Sequence, residues 1–271
     1  PLGNPGDASA RLISAIKSAS IIAAEDSRRF QRLCQDLNVA TDAKVLSFFE
    51  GNEDERTEQL LKELQNGAEV LVVTDAGMPT VSDPGFKLVR AAVEAKIDIE
   101  VIPGPSAVTT ALALSGLPTD RFCFEGFVPR TQGARDKFFD NLKFESRTIV
   151  FFEAPHRLLE TLDSAIAILG DDRKAALCRE MTKTYEETVR GTLSEIQSWA
   201  NSKEILGEIT MVIDGASEGA KEISQQAIID AVRKLEEVGM ERKEAIAAVS
   251  KELDLPKREV FDAMVTAKNL Q

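Results

Sequence analysis

The stretch Val70–Pro84, VLVVTDAGMPTVSDP, decides the fold. Its apolar run VLVV reads as a buried strand, and it breaks into a turn of small residues, Gly and Pro. Asp83 ahead of Pro84 then reads as a helix N-cap with Pro at the first helical position, rather than as a catalytic group. Ile102–Ala107, IPGPSA, repeats the arrangement, with Ser106 opening the next helix. Strand ends of this kind leave backbone N–H and C=O groups unpaired at one edge of a sheet, where a small polar ligand can be held. Two of them point to one ligand site built from neighbouring strands.

Working outward, the rest of the first half alternates in the same way. The opening turn PLGNPGD leads, with Asp7 as cap, into a helix over Ala8–Ala19. Strands are expected at Ile21–Ala24, Val45–Phe49, Val70–Thr74 and Ile99–Ile102. Helices fall between them, including Glu53–Gln65, begun by a capping-box-like Asn52/Glu55 and stopped by Gly67, and another over Pro84–Ala95. Such β/α alternation predicts a mainly parallel sheet covered on both faces. Gly116-Leu117-Pro118 reads as a boundary, giving an N-terminal lobe over 1–117. A second, mixed sheet is expected in 118–216 from strands at Arg121–Phe127, Thr148–Glu153, Ala175–Arg179, Glu186–Arg190 and Glu208–Ile213. Beyond Gly215-Ala216-Ser217-Glu218-Gly219 the pattern turns helical, so 217–271 reads as a helix-turn-helix-like tail of Gln226–Val238, Arg242–Leu253 and Lys257–Asn269, the last two split by Asp254-Leu255-Pro256.

Composition narrows the function. The chain has 271 residues, 43% hydrophobic and 29% charged, with a net charge of −12. A balance this acidic argues against a general nucleic-acid binder held by a global positive field, while leaving room for a local basic face. No apolar run is long enough to span a bilayer and no signal peptide is visible, so the expected compartment is the cytoplasm. The three cysteines, Cys34, Cys123 and Cys178, have neither disulfide nor metal-ligand spacing, and no metal site is expected. There is no GxxxxGK[ST] loop and no GxGxxG after a strand. His156 is the single histidine, which leaves little for a Ser-His-Asp triad.

PLGNPGD, AAEDSRR, TDAGMPTVSDPG, IPGPSA, FFEAPHR, CREMTK and GEITMVI occur in this order. On those seven blocks the chain resembles the tetrapyrrole-methylase superfamily and, within it, the ribosomal RNA small subunit methyltransferase I group, over about Pro1–Ala216. The resemblance implies a two-lobed α/β fold with a small C-terminal helical appendix. It implies S-adenosyl-L-methionine in a cleft between the lobes, a homodimer, and 2′-O-methylation of a cytidine ribose in the decoding region of 16S rRNA.

Carried onto this sequence, the resemblance puts Pro5 in the first turn facing the cofactor. Asp75, Ala76, Gly77, Met78 and Pro79 match the turn holding its methionine portion and ribose, and Ser106 and Ala107 the next contact pair. Phe152, Glu153 and Ala154 match the segment near the adenine, with Met181 and Thr210 close by. The family strand ahead of the PLGN-like turn has no counterpart in this sequence, so the first strand of the N-terminal lobe is expected to be missing. In Phe48–Glu53, Phe49 and Gly51 stand where the family pattern has a His, which removes any histidine role there.

Methyl transfer to a ribose hydroxyl needs alignment of the oxygen and a group to take its proton. The candidates are Glu25, Asp26, Glu153, Glu180 and Lys183, the last only with a lowered pKa. Arg28, Arg29, Arg157 and Arg179 are candidates for RNA phosphates. Arg130 and Arg135, with Lys137 and Lys143, form either a solvated face or a flap gripping RNA. Plainer readings stand beside these: Glu25, Asp26 and Arg28 as a local ion pair and helix cap, His156 as a helix-start residue, and Phe138, Phe139 and Phe144 as core. Two other functions compete. One is a tetrapyrrole-precursor C-methyltransferase, which needs a cationic pocket for a polycarboxylate macrocycle. The other is a non-catalytic RNA-binding ribosome-assembly factor.

Overall fold

The computed structural model describes residues 1–217, 225–253 and 257–269. Pro1–Gly215 forms one compact unit and Ala216–Gln271 a second. The first unit contains two sheets. In the smaller, β1 (Ile21–Ala24) lies between β2 (Lys44–Ser47) and β3 (Val70–Val73), all parallel. Being central, β1 is the one strand of the three buried along its whole length. Its alternate residues feed two cores. Ile22 and Ala24 pack against α1 (Ala10–Ser18) and α2 (Ser27–Asp36), while Ile21 and Ala23 pack with Leu60 of α3 (Glu53–Gln65) and Leu88 of α4 (Phe86–Glu94).

The larger sheet has the order β4-β5-β8-β6-β7, formed by β4 (Phe122–Phe127), β5 (Thr148–Glu153), β6 (Lys174–Arg179), β7 (Glu187–Thr192) and β8 (Ile209–Ile213). Only β4 and β5 run parallel, so the sheet is mixed as expected. One face carries α6 (Gln132–Leu142), α7 (Leu158–Leu169) and α8 (Leu193–Asn201), packed on Ile149, Phe151, Leu177 and Met211. The other face carries α5 (Ala107–Ser115), whose Val108, Ala111 and Leu112 pack on Val150, Ala176, Cys178 and Val212. Arg190 donates to the Leu114 carbonyl at 2.7 Å, and Gly116 closes α5 in the left-handed region at φ 73°. The turn at Gly116–Pro118, expected between lobes, therefore lies within one compact unit whose α5 is welded to the second sheet.

The second unit holds α9 (Gln225–Glu237), α10 (Arg242–Glu252) and α11 (Lys257–Asn269) around a core of Ile229, Val232, Ile246, Val249, Val260 and Met264. Residues 218, 219 and 254–256, read above as linker and helix break, lie outside the described residues.

Several local expectations are corrected. Ser9, not Asp7, caps α1, accepting from the Leu12 N–H at 3.1 Å. Asn52 makes no side-chain cap for α3; it accepts from the Phe49 N–H and donates to the Ser47 carbonyl. The helix read from Pro84 begins at Phe86, because Gly85 has φ 128° and Asp83-Pro84 belong to the preceding turn. The buried Glu53 of α3 caps α4 instead, accepting from the N–H groups of Gly85 (2.9 Å) and Lys87 (3.3 Å). Residues 99–102 form no strand, and Ile99 and Val101 are exposed.

Candidate active site

The site forms where the C-terminal ends of β1 and β3 meet turns from the second sheet. Pro1 accepts a hydrogen bond from the Gly77 N–H at 3.3 Å, joining the PLGNP turn to the DAGMP turn. On its other side the PLGNP turn rests on the EMTK turn: the Asn4 N–H donates to the Thr182 hydroxyl at 3.3 Å, and a side chain at Gly3 would overlap Lys183. Gly77, at φ 98°, sits where a Cβ would meet Leu2 at 3.4 Å and the Pro105 carbonyl at 3.7 Å, ordinary contact distances, so it is the backbone angle that favours glycine there. Turns after β3, ahead of α5 and after β6 thus close on the opening turn. A cleft of about 700 Å³, counting space open to solvent, is lined by Gly3, Pro5, Glu25, Arg29, Thr74 and Asp75 among others.

Carboxylates set the electrostatics. Glu25 accepts from the Asp75 N–H at 3.0 Å and Asp75 from the Asp26 N–H at 3.1 Å, so the ends of β1 and β3 are cross-braced through these two acids. Burial pushes the Glu25 carboxyl up, opposed by the Asp75 N–H. Burial likewise raises Asp75, opposed by the Arg29 guanidinium 3.4 Å away. Asp83 faces the same group. Its burial, together with the charges of Glu25, Asp75 and Glu208, pushes it up to about 7.

The other proton-acceptor candidates are occupied elsewhere. Asp26 caps α2, accepting from the N–H groups of Arg28 and Arg29; the Arg28 side chain and these N–H groups hold it below its ordinary range. Glu153 is buried and saturated by Arg157 (2.5 Å), Thr161 (2.5 Å) and the Ala154 N–H (2.6 Å). Burial works against the charges of Glu180 and Lys183. For Glu180 the Glu208 N–H and the Lys183 ammonium outweigh it, so the carboxyl titrates low. For Lys183 the carboxylates of Glu180 and Glu208, each 2.9 Å away, outweigh it and raise the ammonium, so Lys183 lacks the lowered pKa a base requires. The plain reading of Asp26 and Arg28 as cap and ion pair holds.

The cofactor candidates divide. Pro5 and Asp75 line the cleft, Ala76–Pro79 continue the turn after β3 without lining it, and Ser106 and Ala107 open α5, Ser106 as N-cap without a side-chain bond. Phe152 lies at the end of β5, edge-on to Phe124 and Phe127, with ring centroids 4.8 and 5.4 Å away. Met181 and Thr210 are buried, Met181 within the core beneath α5.

The arginines divide too. Arg28 and Arg130 are exposed, and Arg29 pairs with Asp75 at the cleft. Arg135 is corrected to a buried residue, donating to Ser164 and the Arg130 carbonyl and paired with Glu160. Arg157 ties Glu153 to the Val128 carbonyl, and Arg179 ties Glu187 to the Leu206 carbonyl. His156 is exposed in a short 3-10 turn at Pro155–Arg157. Phe138 and Phe139 pack on Phe151, but Phe144 is exposed under Lys143 and is not core.

Asp83 is the residue the linear reading misplaced. The signal was present: Ser-Asp-Pro-Gly is turn chemistry, and a Gly two residues after the Asp interrupts a Pro-initiated helix.

A parallel sheet joined to a mixed one, with a turn-lined cleft at the strand ends, defines the fold as an α/β architecture of two joined sheets. The structure matches that of the methyltransferase CobJ with a TM-score of 0.60 at 17% identity, over 79% of this chain and 90% of that one. It also matches uroporphyrin-III C-methyltransferase from Thermus thermophilus complexed with S-adenosyl homocysteine, with a TM-score of 0.52 at 18% identity, over 78% and 93%. The family model for tetrapyrrole (corrin/porphyrin) methylases matches residues 1–197. In sequence, ribosomal RNA small subunit methyltransferase I of Mycobacterium bovis is 45% identical over 99% of this chain and 93% of its own length. The chain belongs to the tetrapyrrole methylase family and, within it, to the ribosomal RNA small subunit methyltransferase I group. It is a methyltransferase.

The site fits a sulfonium methyl donor on its own terms. At the cleft wall the Thr74 hydroxyl is buried without a hydrogen bond, and Glu25 and Asp75 supply negative charge for a positive sulfur. Among the described residues no His/Cys/Asp/Glu group has the arrangement to hold a metal ion, and no helix is long and apolar enough to cross a membrane.

Proposed function

We propose that this methyltransferase uses S-adenosyl-L-methionine to methylate the ribose 2′-hydroxyl of a cytidine in the decoding region of 16S rRNA, acting as a homodimer in the cytoplasm. The observation that carries the reading is the meeting of the PLGNP turn with the DAGMP and EMTK turns beside an acidic crevice lined by Pro1, Gly3, Pro5, Glu25 and Asp75. When bound, the cofactor would supply a methyl carbon activated by its positive sulfur, with the sulfur as leaving group. The residues Ala76–Pro79, with Ser106 and Ala107, would hold it largely through backbone N–H and C=O groups. Glu25 and Asp75 favour the positive donor, and Arg28, Arg29 and Arg130 offer charge to RNA phosphates. Phe152 and Ala154 stand on the adenine side.

A tetrapyrrole-precursor substrate fits less well. A macrocycle bearing many carboxylates needs a cationic pocket, and the crevice sets Glu25, Asp26, Asp36 and Asp75 against only Arg29 and Arg32. Two measurements test the proposal. Calorimetry should detect adenosylmethionine binding, and no binding removes adenosylmethionine as the methyl donor proposed here. Small subunits lacking the modification, incubated with enzyme and labelled cofactor, should carry label on a single cytidine ribose; label on a base, or none, overturns the substrate assignment.

A further inference from the structure

The hydrogen-bond ladder between β1 and β3 continues past the ends of both strands, with side chains taking over from backbone. The Glu25 N–H donates to the Val73 carbonyl at 3.1 Å, a rung made by backbone alone. Beyond it the chains part, one into α2 and the other into the DAGMP turn. The Glu25 carboxylate accepts from the Asp75 N–H at 3.0 Å, and the Asp75 carboxylate accepts from the Asp26 N–H at 3.1 Å. Each acid closes a rung for the opposite chain, where a strand would otherwise have supplied a carbonyl. Both line the cleft, with Thr74 and Arg29 beside them.

The two rungs differ in their support. Asp75 is paired also with the Arg29 guanidinium 3.4 Å away, and Asp26 is fixed as cap of α2 by the N–H groups of Arg28 (2.8 Å) and Arg29 (3.4 Å). The Asp75 N–H, where the DAGMP turn leaves β3, is held by Glu25. The next tether along the turn is the Gly77 N–H on the Pro1 carbonyl, at a longer 3.3 Å. Resting on the proposed cofactor site, we propose that Glu25 is a positioning residue: its carboxylate fixes the peptide at Asp75 and so sets the direction in which Asp75–Pro79 leave the sheet toward the methyl donor. Ala76 and Gly77 bring no long side chain to stiffen the turn, so its shape has to be imposed from outside. A site that grips through backbone cannot correct a misplaced turn by changing a rotamer, and a misplacement of about 1 Å can cost about 10²-fold in rate. An ionised acceptor suits the task, because its hydrogen bonds are shorter and stronger than neutral ones.

A proton acceptor needs its ionisable carboxyl, whereas a positioning residue needs the acceptor oxygen. Glu25→Gln keeps that oxygen and loses the charge, and Glu25→Ala loses both, so the pair isolates the hydrogen bond. In calorimetry Glu25→Ala should weaken adenosylmethionine by about 30-fold or more, and Glu25→Gln should recover at least about tenfold of the loss. In single turnover on unmodified subunits at saturating cofactor, Glu25→Gln should run at least about tenfold faster than Glu25→Ala. In cofactor-free protein, hydrogen exchange read by NMR should find the Asp75 amide protected in wild type and Glu25→Gln. It should exchange at least about tenfold faster in Glu25→Ala, with the amides of β1 unchanged. Wild-type affinity in Glu25→Ala, or a Glu25→Gln as slow as Glu25→Ala, overturns the assignment; normal binding with both variants inactive makes Glu25 a proton acceptor instead. If the wild type binds no adenosylmethionine, the cofactor reading fails, while the exchange of the Asp75 amide still decides whether Glu25 holds the turn. Should Glu25→Ala not fold, Glu25→Asp, one methylene too short for the same bond, replaces it with the same expected shortfall against Glu25→Gln.

Discussion

At the scale of single residues, Gly77 and Asp83 show how the site trades stability for geometry. A valine at Gly77 must hold φ near 98° with a branched Cβ, at a cost of about 1–3 kcal/mol, without meeting a severe clash. For a unit of this size that corresponds to a fall in Tm of roughly 3–10 °C. Gly77→Val is therefore expected to unfold cooperatively at a somewhat lower temperature and to bind no adenosylmethionine. Retained binding in the folded variant would move the cofactor away from this turn. Asp83 leaves its mark in pH. Its folded pKa, about 7, lies above its ordinary value of 3.8, so the folded state holds the proton more tightly than the unfolded one. The stability this gives is complete below pH 3.8 and is lost as pH rises through 7. The unscreened shift is worth about 4 kcal/mol, and partial exposure to solvent reduces it to roughly 1–2 kcal/mol. Asp83→Asn should accordingly raise Tm by about 3–6 °C at pH 8 and leave it nearly unchanged at pH 4 in scanning calorimetry. Equal shifts at both values would mean that the carboxylate is not strained by its surroundings.

At the scale of elements, the arginines that look alike in sequence do different work. Arg157 neutralises Glu153 at the junction of β5 and α7, where the acid is 0% exposed in its side chain. Removing the guanidinium leaves a buried charge uncompensated, so Arg157→Ala should cost about 3–5 kcal/mol in urea unfolding. Arg28 has an 89% exposed side chain, and Arg28→Ala should change stability by less than about 1 kcal/mol while weakening RNA binding and its salt dependence. A stability loss at Arg28 matching that at Arg157 would refute this division. The same contrast explains what a linear reading captures. Ile21–Ala24, Glu53–Gln65 and Thr148–Glu153 were legible to the residue because period-2 or period-3.6 patterning is written locally. The cap of α4 was not, since its acceptor, Glu53, lies on another helix. Nor was the burial of Arg135, which depends on Ser164 and Glu160 of α7. Residues 99–102 alternate like a strand, but strand pairing is a property of neighbours, and none of the described strands pairs with them.

At the scale of the whole molecule, the turns of the cleft were legible because Gly and Pro at strand ends mark them one by one. Which carboxylates would share the crevice was not legible, because Glu25 and Asp75, fifty residues apart, meet only through the pairing of β1 with β3. The division between chemistry and tail follows from the cores. Every buried cluster contributing to the cleft lies within Pro1–Gly215, and the core of α9–α11 draws on residues 228–264 alone. Two cores that share no buried side chain have no reason to melt together. A three-helix unit of this size buries a small share of its surface, so it should unfold first and broadly. Calorimetry of the full chain is thus expected to show a weak early transition and a sharper later one. Ending the chain after residue 215 should delete the early transition, leave the later one within about 3 °C, and keep adenosylmethionine affinity within about threefold. Loss of the later transition, or of cofactor binding, on removal of 216–271 would show that the tail completes the catalytic unit.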